Sequence, residues 1–110
     1  MKTRFASYGG LSASNQTLVH CAANQRITID SMYHCNPHSG NITFELYHVP
    51  AGSDPGVGNA LFDGSVNSGK TTSYTAPIYM EPGDRIVAVA GTAGHIIITL
   101  YADVRTIGEA

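Results

Sequence analysis

The clearest pattern in this sequence is a strict alternation of apolar and polar residues between Gly40 and Val49. Ile42, Phe44 and Leu46 fall on one side of an extended chain, and the intervening polar residues fall on the other. The side chains of a β-strand alternate in this way between the two faces of a sheet. Segments rich in Pro, Gly, Ser and Asn flank the run on both sides and favour turns. The pattern predicts a strand with one buried face.

The same period of two recurs along the chain and predicts an all-β protein. No stretch has the 3.6-residue period of a helix. About seven or eight short strands, spaced roughly 8–12 residues apart, are typical of a single antiparallel β-sandwich or jelly-roll-like domain. Pro77 interrupts one of them, which predicts a bend or an edge position. Besides 40–49, the predicted strands are 17–22, 26–35, 60–66, 71–80, 85–90 and 96–105.

Strict alternation also predicts which residues form the core. Within 26–35 it places Tyr33 and Cys35 on the same face as Ile27, and His34 on the opposite face. The other strands contribute alternate apolar positions to the same core. The predicted core residues are Ile27, Ile29, Ile42, Phe44, Leu46, Ile86, Ala88, Ile96, Ile98 and Leu100.

Two segments are too polar to contribute to that core. Residues 1–15 contain few apolar side chains, so we predict an N-terminal arm that orders against a neighbouring molecule, followed by a β-sandwich domain at 16–110. The segment 50–59 is rich in Pro and Gly and long for a hairpin, which predicts a loop projecting from the sandwich. The predicted partner contacts are Phe5, Tyr8, Leu11, Pro50, Asp54, Pro55 and Val57.

Composition and charge narrow the class of partner. Only 13% of the 110 residues are charged, which is typical of a surface that other subunits cover. The net charge is −2 and the six basic residues do not cluster, which argues against nucleic acid and against an anionic membrane as partner. The N-terminus lacks the continuous apolar stretch of a secretory signal, so we expect a protein made and kept in a cytoplasm.

Residues 64–71 match the P-loop pattern G-x-x-x-x-G-K-[ST], which cradles phosphate groups. That chemistry needs a helix directly after the loop, because the amides at the start of the helix hold the phosphates. The residues after Lys70 are instead β-formers followed by Pro77, so no helix is expected there. We therefore interpret the motif as a Ser/Gly-rich turn between two strands.

The histidines and cysteines form no metal-binding motif that we recognise. His20 precedes Cys21, and His34 precedes Cys35, with His38 three residues further on. Structural zinc sites usually combine their histidines with a C-x-x-C knuckle, and the sequence has no C-x-x-C. We expect no metal and no other cofactor, with both cysteines in the core and the histidines at the surface or at an interface.

Catalytic residue types are present but scattered. Ser73, His95 and Asp103 have the side chains of a hydrolytic triad, yet no local signature such as G-x-S-x-G surrounds the serine. We expect no enzymatic activity.

The tyrosines leave two uses open. They could stack on a sugar, or they could lie at the edge of the core or in a subunit interface. We favour a position at the core edge or in an interface, because tryptophan is absent and five tyrosines fall within the predicted strands. These five are Tyr33, Tyr47, Tyr74, Tyr79 and Tyr101.

The order of these segments resembles the small β-sandwich virion proteins of tailed bacteriophages. The segments that carry the resemblance are 35–36, 42–52, 59–61, 78–84 and 98–101, within residues 17–105. The resemblance implies a protein that sits on the capsid as decoration or cement, often as a trimer, or that belongs to the neck or tail. It implies no catalytic residues.

We therefore expect a noncatalytic structural subunit of a phage particle, most simply an oligomeric capsid decoration protein. Its expected partners are further copies of itself, with a trimer favoured, and the major capsid protein or other virion subunits. Its expected location is the virion, after synthesis in the cytoplasm of the bacterial host. One alternative is a neck, collar or tail-fibre subunit. Another is a carbohydrate- or small-ligand-binding jelly roll that uses Tyr74 and Tyr79 in a groove.

Overall fold

The structure, a computed structural model, describes residues 2–6, 13–74, 77–92 and 94–107. In this part of the chain there are nine β-strands and a 3₁₀ turn at Val57–Asn59. The strands are β1 (Lys2–Ala6), β2 (Gln16–His20), β3 (Gln25–Cys35), β4 (Ile42–Val49), β5 (Ala60–Val66), β6 (Thr71–Tyr74), β7 (Ile78–Met80), β8 (Arg85–Ala90) and β9 (Ile97–Thr106).

The strands form two antiparallel sheets packed face to face. The five-stranded sheet has the order β1-β9-β3-β6, with β7 also paired to β3, and the four-stranded sheet has the order β2-β8-β4-β5. The chain passes repeatedly from one sheet to the other, which is the connectivity of a jelly roll. The expectation of a single all-β antiparallel sandwich is confirmed.

The core lies between the sheets and contains all ten residues that alternation predicted. Phe44 is at its centre, where its ring stacks on Phe62 with the ring centroids 4.5 Å apart. Each fully buried aliphatic or aromatic side chain contributes about 1.5–3 kcal/mol to stability relative to an exposed one. These contacts hold the two sheets together.

A β-bulge in β3 changes which residues face the core. The pairing of β3 with β9 shifts between Ile29 and Ser31, so the alternation changes phase at that point. His34 is consequently buried with no exposed surface, whereas Tyr33 points outward and is 43% exposed. Cys35 shares the outer face and is half-buried. The prediction that Tyr33 and Cys35 face the core and His34 the surface was therefore wrong, because strict alternation assumes a regular strand.

The N-terminus contains a strand that the sequence did not predict. Residues 2–6 form β1, which pairs antiparallel with β9 at the edge of the five-stranded sheet. Hydrogen bonds to β9 supply the stability that the few apolar residues cannot. Residues 7–12, in the middle of the predicted arm, lie outside the described residues. The division of the chain at residue 15 remains a prediction.

Pro77 separates β6 from β7, as predicted for a proline in a strand. Both strands pair with β3, β7 beside its first half and β6 beside its second half. Because proline has no N–H to donate, the interruption falls at an edge of the sheet.

No helix in the described ranges has the length and apolar character needed to cross a membrane.

Candidate interaction surface

Among the side chains that the structure describes, the most exposed large aromatic ones lie on the outer face of the five-stranded sheet. Tyr33 on β3 and Tyr101 on β9 are 43% and 38% exposed, and Tyr79 on β7 is 67% exposed. The Tyr33 and Tyr101 rings meet edge to face, with centroids 6.4 Å apart and planes at 76°. We call this surface the tyrosine face, and its members are Thr28, Tyr33, Tyr79, Thr99 and Tyr101.

The bulge in β3 explains why the two rings touch. It brings Ser31 opposite Tyr101 and Tyr33 opposite Thr99, so both tyrosines lie on the outer face of neighbouring strands. Diagonal neighbours on one face of a sheet are within reach of aromatic side chains. A regular β3 would have turned Tyr33 into the core. The sequence therefore identified both tyrosines as candidates, but it could not place them on one surface.

Two ion pairs of described residues lie on this side of the molecule. Arg26 Nε donates to Glu81 Oε2 at 2.8 Å, and Arg105 Nε approaches Asp103 Oδ2 at 3.4 Å. Both arginines are well exposed, so these pairs add little to stability. The tyrosine face beside them presents aromatic rings and hydroxyl groups, and such groups suit contact with another protein.

One end of the sandwich is fastened by Asn36, which is completely buried. Its Nδ2 donates to the carbonyl oxygens of Gly40 and Val66, each at 2.8 Å, and its Oδ1 accepts from the backbone N–H of His38 at 3.0 Å. Backbone bonds from Asn36 to the turn that contains Lys70 complete the connection. A buried polar side chain with this many partners fixes the conformation of both loops.

The other end is fastened by Asp84, which follows the Glu81–Gly83 turn and is 8% exposed. Its carboxylate bonds to His48 Nε2 at 3.0 Å and accepts from the backbone N–H groups of Glu81 and Ala51. Burial alone would raise the pKa of Asp84. The hydrogen bonds from Glu81, His48 and Ala51 outweigh burial, so the pKa of Asp84 lies below its ordinary value.

His34 lies in the core between three aromatic or hydroxyl-bearing neighbours. Its ring centroid is 4.7 Å from that of Phe44 and 5.6 Å from that of Phe62, and Nδ1 is 3.0 Å from Thr72 Oγ1. Among the described residues nothing hydrogen-bonds to Nε2. Burial lowers the pKa of His34 to about 4, so the imidazole is neutral at pH 7.

A shallow groove of about 160 Å³ lies on the outer face of the four-stranded sheet. This is below the range of roughly 300–1,000 Å³ that is usual for small-molecule sites. The Tyr47 hydroxyl donates to Glu45 Oε2 at 2.5 Å, and this bond, burial and the nearby carboxylates raise the pKa of Tyr47 to about 12. The groove is lined by Thr43, Phe44, Glu45, Asp63, Val89, Ala90 and Gly91.

The P-loop-like residues form a turn, as the β-formers after Lys70 predict. Gly64 and Val66 belong to β5, a tight turn follows, and β6 begins at Thr71. The turn is closed by a bond from Lys70 N to Asn67 O, and Gly69 adopts a φ of +68°. Because a strand and not a helix follows, the arrangement has no row of helix amides to hold phosphate.

The candidate metal ligands are not gathered at one place. Cys21 is buried, and burial raises the pKa of its thiol, while His20 is exposed beside it. The imidazoles of His38 and His95 stack with their centroids 3.9 Å apart. No cluster of three or more His, Cys, Asp or Glu suitable for a metal occurs in the described ranges. The prediction of core cysteines and surface histidines holds for Cys21 but was wrong for His34 and for Cys35.

The hydrolytic trio is not assembled either. His95 precedes β9 and Asp103 lies near its far end, about 25 Å away at the rise of an extended strand. Ser73 is on β6, opposite Tyr33 and two strands from β9. These positions provide no shared site for a nucleophile, a base and an orienting acid.

The predicted sugar groove is not formed, because its two tyrosines face opposite sides of the five-stranded sheet. Tyr74 is half-buried and packs against the core, whereas Tyr79 points to solvent. Tyr74 pairs with the buried Met32, and Tyr79 pairs with the outward-facing Thr28. A ligand could not touch both rings from one side.

The predicted partner contacts are distributed as follows. Pro50 and Asp54 are exposed, and Pro55 is half-buried in a loop that Asn59 ties together by bonds to Gly56 and to Asp54. Val57 begins the 3₁₀ turn, and Phe5 lies on β1 opposite Leu100; their side chains lie outside the described part. Tyr8 and Leu11 lie outside the described residues altogether. The contact role of all seven remains a prediction.

No protein-family model matches this chain, and no curated protein does. Among solved structures, a subunit of Bacillus endospore appendages, which form disulfide-linked pili, is similar with a TM-score of 0.53 and 14% identity. The match covers 98% of this chain and 88% of that chain. A xylan-binding domain from Paenibacillus barcinonensis matches with a TM-score of 0.42 and 15% identity, over 96% of this chain and 72% of that chain. A chain of infectious bursal disease virus, Gx strain, matches with a TM-score of 0.44 and 13% identity, over 97% of this chain and 29% of that chain.

What the appendage subunit shares with this chain is the fold. It supports the description of the chain as a jelly-roll domain. At this level of identity it transfers no partner and no residue role.

Proposed function

We propose that this chain is a noncatalytic structural subunit that works as a homo-oligomer, with a trimer favoured. The observation that carries the proposal is the tyrosine face, an exposed aromatic surface on the outside of the sandwich. Protein interfaces are enriched in tyrosine and depleted in charge at their centres. The polar side chains Asn36 and Asp84 fasten loops at the two ends of the sandwich, which supports a rigid body that presents this surface to a partner.

We further propose that the assembly is a bacteriophage virion, in which the chain decorates the capsid after synthesis in the host cytoplasm. The order of strands and turns that resembles phage virion proteins supports this proposal. In this role the tyrosine face contacts the major capsid protein or another virion subunit. The added buried surface bridges neighbouring capsid subunits and opposes the outward pressure of the packaged genome. A neck, collar or tail-fibre position would use the same subunit elsewhere on the particle.

A second candidate is the binding of carbohydrate, and the ring contact between Tyr33 and Tyr101 favours it. Exposed tyrosines beside hydroxyl groups can stack on a sugar ring and hydrogen-bond to its edge. The planes of the two rings meet at 76°, however, so they offer one ring face at a time and no flat platform. Tyr79 lies beside the other half of β3, and a short sugar would not reach all three rings.

The proposal is tested first by the mass of the purified chain, measured by light scattering across a concentration series. A discrete closed oligomer is the expected result. Co-sedimentation with empty heads of the phage that encodes the chain then tests the capsid contact. The double variant Tyr33→Ser/Tyr101→Ser should lose this binding, and the matched control Tyr47→Ser, on β4 of the other sheet, should keep most of it. A monomer at every concentration that also fails to bind the heads would contradict the proposal.

The carbohydrate candidate is tested on the same samples by intrinsic fluorescence. The chain has six tyrosines and no tryptophan, so the emission reports on tyrosine environments. Titration with oligosaccharides of glucose and of xylose should give no saturable change if the subunit is structural. A saturable change in a stable monomer, absent from the Tyr33→Ser/Tyr101→Ser variant, would favour the sugar-binding candidate instead.

A further inference from the structure

Strand β5 is an open edge of the four-stranded sheet. It pairs with β4 on one side, and no strand in the described ranges pairs with its other side. Two of the other edges are interrupted, β2 by a bulge between Thr17 and Val19 and the β6–β7 edge by Pro77. Residues 62–66 of β5 are instead regularly paired with β4 and contain no proline. A regular open edge is a template for the addition of another strand.

This edge carries a pair of like charges. Asp63 on β5 is exposed and lies directly opposite Glu45 on β4. Carboxylates opposite each other in a sheet repel. Within the described part of the chain, no Lys or Arg forms an ion pair with either of them. Both carboxylates also help to raise the pKa of Tyr47, which reflects the negative potential at this edge.

The complementary charge is on β1, at the edge of the five-stranded sheet. The sequence of β1 is Lys-Thr-Arg-Phe-Ala, with two basic residues in five. The strands at the remaining edges, β2, β6 and β7, contain no Lys or Arg. Of the edges that the structure describes, β1 is therefore the one whose charge suits β5.

We propose that β1 of one copy adds to β5 of the next copy, antiparallel, with Arg4 opposite Asp63. The inference rests on the proposed function, since it names the contact through which the copies assemble. In this register Phe5 lies opposite Phe62. Within its own sheet Phe5 is paired with Leu100 and Phe62 is paired with Leu46, and both leucines are buried. The inner and outer faces therefore continue from one copy to the next. A slip by one residue would exchange the faces.

The joint is heterologous, because its two strands come from different edges. A heterologous contact builds a closed ring when the rotation between copies closes, and a filament when it does not. A two-fold contact between two β5 strands centred at position 63 would instead place Asp63 opposite its own copy. Repulsion between these carboxylates disfavours that arrangement.

Two charge reversals test the joint, with light scattering at a concentration where the wild-type chain is assembled. Arg4→Glu faces Asp63 with a carboxylate, and Asp63→Lys faces Arg4 with an ammonium group, so each variant alone should lose the assembly. The double variant Arg4→Glu/Asp63→Lys should recover the wild-type mass, because opposite charges then meet again at every joint. The matched control Lys70→Glu reverses an exposed charge on the β5–β6 turn and should assemble normally. Circular dichroism establishes that every variant is folded.

The outcomes separate the joint from the function. A wild-type chain that assembles while both single variants assemble equally well would overturn the β1–β5 joint and leave the proposed function standing. Single variants that fail to assemble, together with a folded double variant that also fails, would overturn the pairing of position 4 with position 63. A wild-type chain that is monomeric at every concentration would contradict the proposed self-assembly itself. If a reversal prevents folding, the wild-type assembly is measured between low and high salt, and a mass that does not fall with added salt would overturn the charge pairing.

Discussion

His48 Nε2 and Asp84 Oδ2 lie 3.0 Å apart and join the end of β4 to the turn before β8. Further hydrogen bonds link Asp84 and its turn to Ala51 and to Cys21. Asp84 accepts from Ala51 N at 3.2 Å, and the same turn exchanges backbone hydrogen bonds with Cys21 after β2, both at 2.8 Å. The Asp84 carboxylate and the backbone of its turn together join three connections at this end of the sandwich.

Replacing that carboxylate should destabilise the fold. Asp84→Asn keeps the shape of the side chain but loses the charge and one of the acceptor oxygens. We expect a loss of about 2–3 kcal/mol in the free energy of unfolding, since hydrogen bonds to a charged group are worth about 1.5–3 kcal/mol. Urea denaturation at pH 7 measures the loss. Asp54→Asn, at an exposed loop position, should change the same quantity by less than about 0.5 kcal/mol.

The same carboxylate should make stability depend on pH in acid. The folded-state pKa of Asp84 lies below its ordinary value of 3.8, so the folded state favours the charged form. Its contribution is therefore present above about pH 4 and is lost as the pH falls through the folded-state pKa. Asp84→Asn should flatten the stability profile in this range. A profile identical to that of the wild type would show that Asp84 contributes no such linkage.

His34 should destabilise the protein in mild acid. Its pKa falls from 6.5 to about 4 on folding because the imidazole is buried. The unfolded chain therefore takes up a proton at a higher pH than the folded chain, and stability declines as the pH falls from 6.5 to about 4. At the end of this window the loss approaches 3 kcal/mol, by about 1.4 kcal/mol per pKa unit. His34→Leu should remove this decline, which denaturation at several pH values detects.

The matched control for this change is His20→Leu, because His20 is exposed at the end of β2. It should retain the wild-type decline between pH 6.5 and about 4. If His34→Leu and His20→Leu gave the same pH profile, His34 would not be the group that titrates on unfolding.

Asn36 should be far less replaceable than the other asparagines. Asn36→Ala removes both donors to Gly40 and Val66 and leaves those buried carbonyl oxygens without the amide. We expect a loss of about 2–4 kcal/mol in the free energy of unfolding, because unsatisfied buried polar groups cost about 1–3 kcal/mol each. The exposed Asn67, on the turn that Asn36 fastens, provides the control. Thermal unfolding of Asn67→Ala within a few degrees of the wild type is expected.

Gly83 and Gly52 should respond differently to the same substitution. Both have positive φ, +89° and +78°, so Ala strains the backbone at either position. A Cβ at Gly83 would also lie 2.6 Å from the Ala51 Cβ, whereas a Cβ at Gly52 meets nothing within 4 Å. Gly52→Ala should cost about 1 kcal/mol, and Gly83→Ala about 1–3 kcal/mol more.

The additional cost at Gly83 can be assigned to one contact. Ala51→Gly removes the methyl group that a Cβ at position 83 would strike, so the double variant Ala51→Gly/Gly83→Ala should regain most of the difference. A double-mutant cycle by urea denaturation measures this coupling. Additive losses would show that backbone strain, and not the Ala51 methyl group, sets the cost at Gly83.

Among the described residues, much of the secondary structure could be predicted from local pattern. Alternation identified β4, β5, β8 and β9 within a few residues, and Pro77 indicated the break between β6 and β7. These features depend on neighbours in the sequence. The turn at the P-loop-like residues could also be predicted locally, because β-formers and not a helix-forming segment follow Lys70 in the sequence.

The tyrosine face could not be predicted, because it depends on features that no short stretch of sequence indicates. The bulge between Ile29 and Ser31 arises from pairing with β9, and it decides that Tyr33 meets Tyr101 outside while His34 is buried beside Phe44. Likewise β1 has too few apolar residues for the sequence to predict a strand. It forms a strand because its backbone pairs with the edge of β9.

The sequence by itself determined the fold class and most of the apolar core positions, since a period of two in hydrophobicity requires strands with one buried face. Tertiary structure alone decided the order of strands in each sheet, the phase of β3 after its bulge and the contents of each outer face. The physical reason is that register and edge pairing depend on hydrogen bonds between residues far apart in the chain. One shifted residue in β3 exchanges inside for outside without any change in composition.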